Sequence, residues 1–349
     1  MHLLQFIAFL NIIFLQEKLN KEIMKYEFID INQIIYSSPI HLLILIIFST
    51  SLVSTSYYLN NKIKIFEGLI LNNVIIYSLI IIFIATSINI IYSFNTKFHL
   101  TIYFFGYTIS LFGIFHLFYL AYNINIKILK NYKIIIIKKY LIIFIILILF
   151  LLISLSPVTD IDSLDYHLGA PLEWFRNKSF FARYDWFHYR LAGLGENLSL
   201  YGLYFGLENF SQLIQYSGLI IIILISKQYL KEKNTYIFYI AILSSPVLLF
   251  LISTQKFLLF PSSLIFVSYL LLTEERGGHF RKLLISNALI LFAIGCKITF
   301  IFISVPLLIY SFYLSIKSGK FLKLLIFTTL LFLLINFPSY VNNFRFYGD

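Results

Sequence analysis

Long apolar runs recur along this chain, and they leave little choice of fold. Tyr140–Ser156 and Gly218–Ser226 contain no charged residue. Over all 349 residues, 60% are hydrophobic and 12% charged, about half the charged share of a soluble domain, which is near 25%. A membrane-spanning strand would alternate polar and apolar residues over segments of about 10. These runs do not alternate, so the composition predicts an all-α, polytopic integral membrane protein.

Ten candidate spans fall at about 38–58, 68–92, 99–122, 139–156, 209–226, 235–253, 257–273, 283–296, 298–316 and 323–339, each approaching the roughly 20 residues that cross the hydrocarbon core. The stretch 283–316 reads equally as two short helices or one long, bent one. The first apolar run, Leu3–Leu15, is short for a span and lacks the basic start and small-residue cleavage site of a signal peptide.

The formal charge of +11 comes from 27 Lys and Arg against 16 Asp and Glu. The basic residues are spread over short loops, which marks the cytoplasmic side of a membrane protein and argues against nucleic acid as a partner. Lys127–Lys139, Lys227–Lys233, Arg276–Lys282 and Lys317–Lys323 bound loops that all fall on one face under this span count. That face is predicted to be cytoplasmic, with residues 157–197 on the opposite, periplasmic or exterior side of a bacterial inner membrane. Membrane lipids are then obligatory partners. The single cysteine, Cys296, excludes an intramolecular disulfide. Two units are expected: N-terminal membrane helices over 1–138, and a membrane core over 139–349 that carries the outer loop 157–197.

That loop is a polar island in a chain otherwise close to continuous hydrocarbon. Asp160, Asp162, Asp165, Glu173 and Asp185 occur there with His167, His188, Arg176, Arg183 and Arg190. Titratable clusters at the water–lipid boundary suggest a site. In extended backbone Asp160 and Asp162 would project to one side; with a helix starting near Ser163, Asp162 would be its N-cap. Spacing alone leaves two readings open, a solvated capped loop or a carboxylate pair that acts as a base or holds a divalent cation. Trp186 and Arg190 share a helical face, which suits either a sugar-stacking platform or an interfacial aromatic belt. His167 reads as a structural or hydrogen-bonding histidine, because no zinc spacing accompanies it. No phosphate-binding P-loop and no G-x-S-x-G elbow is present.

The string Asp162-Ser163-Leu164-Asp165-Tyr166-His167-Leu168 resembles the D-x-L-x-Y-H-L signature in the first outer loop of polytopic GT-C glycosyltransferases. These include bacterial relatives of protein mannosyltransferases and of the lipid A aminoarabinose and galacturonic acid transferases. Leu194-Gly195-Glu196-Asn197-Leu198 is similar to the stretch that closes that loop. Ala293–Thr299 resembles a G-x-K-x-T junction, with Ile298 in place of the usual aromatic or proline, and Asn342–Asp349 looks like the start of an R-x-x-x-G-N-P loop.

The resemblance implies transfer of a sugar from a polyprenyl-phosphate donor to an outward-facing glycan, lipid or protein acceptor. It implies Asp162, with Asp160, as the catalytic or donor-orienting carboxylates. Tyr166, His167, Arg190 and Glu196 would bind substrate, and Lys297 and Arg345 the phosphate. A divalent cation at Asp160 and Asp162 is the one cofactor considered.

Three departures stand against it. Ser245-Pro246 is followed by Thr254-Gln255-Lys256 without an acid, extra spans precede residue 139, and relatives continue beyond the equivalent of Asp349. The chain therefore reads as a shortened member, a fragment or an inactive paralogue. The rival readings are a carrier or flippase for a polyprenyl-linked or anionic substrate, and an O-antigen polymerase or ligase.

Overall fold

The computed structural model describes residues 39–62, 69–94, 134–177, 191–273 and 280–347, with isolated positions at 102–116, 180 and 189. Among these the fold is helical and contains no strand. The N-terminal run Leu3–Leu15 and most of the predicted span 99–122 lie outside the described residues.

The helices are α1 (Pro39–Lys62), α2 (Leu69–Phe94), α3 (Ile134–Ser154), α4 (Gly169–Asn177), α5 (Leu194–Tyr204), α6 (Phe210–Tyr229), α7 (Glu232–Leu243), α8 (Pro246–Ser253), α9 (Leu259–Thr273), α10 (Phe280–Cys296), α11 (Ile301–Lys317), α12 (Phe321–Ile335) and α13 (Phe337–Tyr347). By length and composition, Ile70–Ser93, Phe210–Tyr229 and Ile298–Lys317 can each cross a membrane. Two bent pairs raise the number among the described residues to as many as five: Asn234–Leu243 with Pro246–Ser253, and Phe321–Ile335 with Phe337–Phe344.

The bends correct the expectation of continuous spans over 235–253 and 323–339, and proline explains both. Pro246 opens α8, and its ring would meet the carbonyl of Ile242 if α7 simply continued; the axes turn by 62°. Pro338 in the first turn of α13 acts likewise on Leu334, and there the turn is 46°. Of the two alternatives for 283–316, the structure takes the break. α10 ends at Cys296, Lys297 is extended (φ −157°, ψ 124°), and a 3₁₀ turn, Ile298–Phe300, leads into α11.

α9 packs between α6 and α10, while α5 is wedged among α2, α4 and α10. Every residue of α5 is buried, although its sequence reads as the end of an outer loop. In contrast, α11 presents Phe302 (81% exposed), Ile309 and Ile316, and α12 presents Leu322 and Leu330. Such faces fit lipid and would be a liability in water.

Candidate functional site

The polar segment begins as a helical turn at Ile161. Asp160 caps it: its carboxylate accepts from the Ser163 N–H at 3.0 Å and from the Ser163 hydroxyl. The expected cap, Asp162, makes no capping bond. It sits inside the turn, so the two acids do not follow an extended period of two.

From Ser163 to His167 the backbone forms a π-turn, closed by Leu168 N–H donating to the Ser163 carbonyl at 2.7 Å. Pro171 supplies the cause. It has no N–H to return to the His167 carbonyl, so regular α-helical bonding cannot run through this point. The wider turn sets Ser163 and His167 in the interior and leaves Asp162 exposed.

Asp160 and Asp162 converge on one cation, Lys256. Its ammonium lies 2.7 Å from Asp162 Oδ2 and 3.5 Å from Asp160 Oδ1. Burial works against that ammonium, but the hydrogen bond to Asp162 and the charges of both acids outweigh it and raise its pKa.

Lys256 is held in a turn between α8 and α9 that two buried glutamines of α6 bind. Gln212 Nε2 donates to the Ser253 carbonyl at 2.7 Å, and Gln215 donates to the Lys256 carbonyl while accepting from Phe260 N–H at 2.9 Å. Gln255 N–H completes the link to the loop by donating to Ser163 Oγ at 3.0 Å. The sequence reading missed Lys256, treating its segment as lacking an acid. The available signal was Gln212 and Gln215, two amides one turn apart in an otherwise apolar helix.

The same arrangement bears on the divalent cation. Asp160 has its oxygens committed to Ser163 and Lys256, and Asp162 shares Lys256. A metal bound here would have to displace the ammonium. Among the described residues no group of three His, Cys, Asp or Glu side chains is placed to hold a metal.

Four predicted residues do meet. Tyr166, His167, Glu196 and Lys297 line one pocket of about 340 Å³, with Phe257, Cys296, Asn336 and Tyr340 among its other walls. His167 Nδ1 lies 2.5 Å from Glu196 Oε1, and Gly193 N–H donates to Glu196 Oε2 at 2.6 Å. Both side chains are nearly inaccessible, at 4% and 2% exposure. The Tyr166 ring lies over the imidazole with centroids 3.9 Å apart. Burial, followed by the charges of Glu196, Asp162, Asp160 and Asp165, pushes the Tyr166 phenol up to about 12.

The pocket exists because two backbones approach closely. A methyl group at Gly193 would collide with the Gly295 carbonyl, and one at Gly295 would collide with Asn336 and Leu194. The segment that closes the loop therefore touches the junction that carries Lys297, two motifs about 100 residues apart. α13 forms the far wall, tied to α2 by Asn89 Nδ2 donating to Ser339 Oγ at 2.9 Å and Asn342 Nδ2 to Ser93 Oγ at 2.6 Å. Arg345 belongs to α13, but its side chain lies outside the described residues, as do Arg190 and Trp186.

Residues 114–348, about two thirds of the chain, match the DUF1420 N-terminal domain. The chain belongs to that family. No curated protein and no solved structure matches it. The DUF1420 match takes in the π-turn, the Lys256 turn and every residue named above as lining the pocket.

Proposed function

We propose that this DUF1420 protein is a GT-C-type glycosyltransferase of a bacterial inner membrane, with some ten spans and the 157–197 loop on the periplasmic side. It moves a sugar from a polyprenyl-phosphate donor to an outward-facing glycan, lipid or protein acceptor. One observation carries the reading. Residues drawn from three separate stretches that resemble that superfamily, Tyr166 and His167, Glu196, and Lys297, line one pocket.

The chemistry suits that pocket. A lysine at a break between two apolar helices is expensive unless it has a partner or water, about 2.5–3.5 kcal/mol at mid-membrane. Among the described residues no carboxylate pairs with Lys297, so a phosphate head group would supply the missing counter-charge. As the bond to sugar C1 breaks, the leaving phosphate gains negative charge, and a fixed ammonium stabilises it more than the ground state. The exposed apolar faces of α11 and α12 leave the donor's tail in lipid. Asp160 and Asp162 act on the donor side in this reading, through Lys256 and the turn whose next residue, Phe257, forms a pocket wall.

The test is sugar transfer from a radiolabelled polyprenyl-phosphate-sugar pool in membranes carrying wild type, Lys297→Met or Asp162→Asn at equal expression. Label reaching an acceptor with wild type, and falling steeply with Lys297→Met, is the expected result. Donor bound by wild type without any transfer would make the protein a carrier and overturn the enzymatic reading.

A further inference from the structure

We infer that His167 is the proton acceptor of this pocket, oriented by Glu196, and that the group it deprotonates is a hydroxyl of the acceptor. The inference rests on the transferase reading and adds the base that reading leaves unassigned.

The hydrogen bonds suit one assignment of roles. Glu196 Oε2 accepts the Gly193 N–H, which leaves Oε1 as the oxygen facing the imidazole. An ionised carboxylate there accepts from Nδ1–H, so the neutral ring keeps its lone pair on Nε2. That atom is buried and has no hydrogen-bond partner among the described residues. A buried, unpaired ring nitrogen is unfavourable, and such a group persists where a ligand supplies the missing bond. Glu196 is itself buried at the start of α5, so the imidazole has a fixed tautomer and direction, as an acid–base pair requires. Asp162 suits this role less well, being 59% exposed and already neutralised by Lys256.

The step balances. The acceptor oxygen bonds to sugar C1 as its proton passes to His167 Nε2. The bond between C1 and the phosphate oxygen breaks with its electron pair on oxygen, releasing polyprenyl phosphate beside Lys297. The imidazolium then returns its proton to water, and Glu196 stabilises the charge meanwhile. Tyr166 covers the imidazole, so entry of the acceptor hydroxyl displaces that ring.

The experiment uses the full chain in membranes, with the same labelled donor pool, comparing wild type, His167→Ala and Glu196→Gln. His167→Ala is expected to lower kcat by about 10²- to 10⁴-fold, with the donor KM within about twofold. Added imidazole should restore turnover, because the deleted ring leaves space adjoining the pocket. Glu196→Gln should lower kcat by about tenfold or more and gain nothing from imidazole. A His167→Ala protein that turns over like wild type would overturn the inference while leaving the transferase reading intact. So would a loss confined to donor KM that imidazole does not repair. If His167→Ala does not fold, Glu196→Gln decides, and an unchanged kcat counts against the dyad. Absence of transfer by wild type is the separate failure of the underlying reading.

Discussion

Two lysines stand at breaks between short apolar helices, and their surroundings differ in almost every respect. Lys256, between α8 and α9, has two carboxylates on its ammonium and two glutamines bracing its turn, at the Ser253 and Lys256 carbonyls. Lys297, between α10 and α11, has extended backbone, no carboxylate partner among the described residues, and a pocket in front of it. In sequence they look alike, since each interrupts hydrocarbon with one positive charge. A cation whose charge is already answered holds parts of the chain together. One whose charge is unanswered, and which faces a cavity, is placed to answer the charge of something else.

The contrast is open to measurement. The largest effect expected of the two lysines is on transfer: Lys297→Met should lower turnover by about 10²- to 10³-fold, the size of losing one charge-stabilising donor, at an unchanged melting temperature. If Lys256→Met instead gave the larger loss of turnover, the two sites would have to exchange roles. Next comes Gly193→Ala, which forces a methyl group into the Gly295 carbonyl. Overpacking of this kind should destabilise by about 1–3 kcal/mol, read by thermal unfolding in detergent.

Lys256→Met should destabilise by a similar or smaller amount, about 1–3 kcal/mol, because it leaves the part-buried Asp160 without its cation. Adding Asp160→Asn should recover part of that loss. Asp162→Asn alone should fall below about 1 kcal/mol, since that carboxylate is mostly in water.

The smallest effect concerns Tyr166. Its phenol is raised from 10 to about 12 in the fold, so the folded protein keeps a proton that the unfolded chain releases. The stabilisation is complete below pH 10 and is lost as the pH climbs through 12. Tyr166→Phe should flatten this alkaline decline in a pH series of melting curves, and an unaltered slope would show that Tyr166 does not carry it.

The helical, apolar character was legible because long apolar helices announce themselves by continuous hydrophobicity, as α11 does. The breaks at Pro246 and Pro338 are also marked in the sequence, by prolines whose rings cannot follow a continuing helix, although length alone points to whole spans. Within the site, Tyr166, His167, Glu196 and Lys297 were found through short motifs that resemble one superfamily, each placed by its own stretch of sequence. Their convergence depends on Gly193 meeting Gly295, a long-range approach that no local pattern encodes. The pairing of Lys256 with Asp160 and Asp162 was missed for the same reason. Across about 94 residues, opposite charges carry no mark of which will meet.

The close approach of Gly193 to Gly295 also orders events during synthesis. The loop that carries His167 leaves the ribosome well before the junction it must lean on, and the α13 wall follows some 40 residues later still. Until α10 is seated, Glu196 has its helix but no floor beneath it. A nascent chain therefore carries its charged loop beside an unfinished bundle, and the pocket is complete only once α13 has been made.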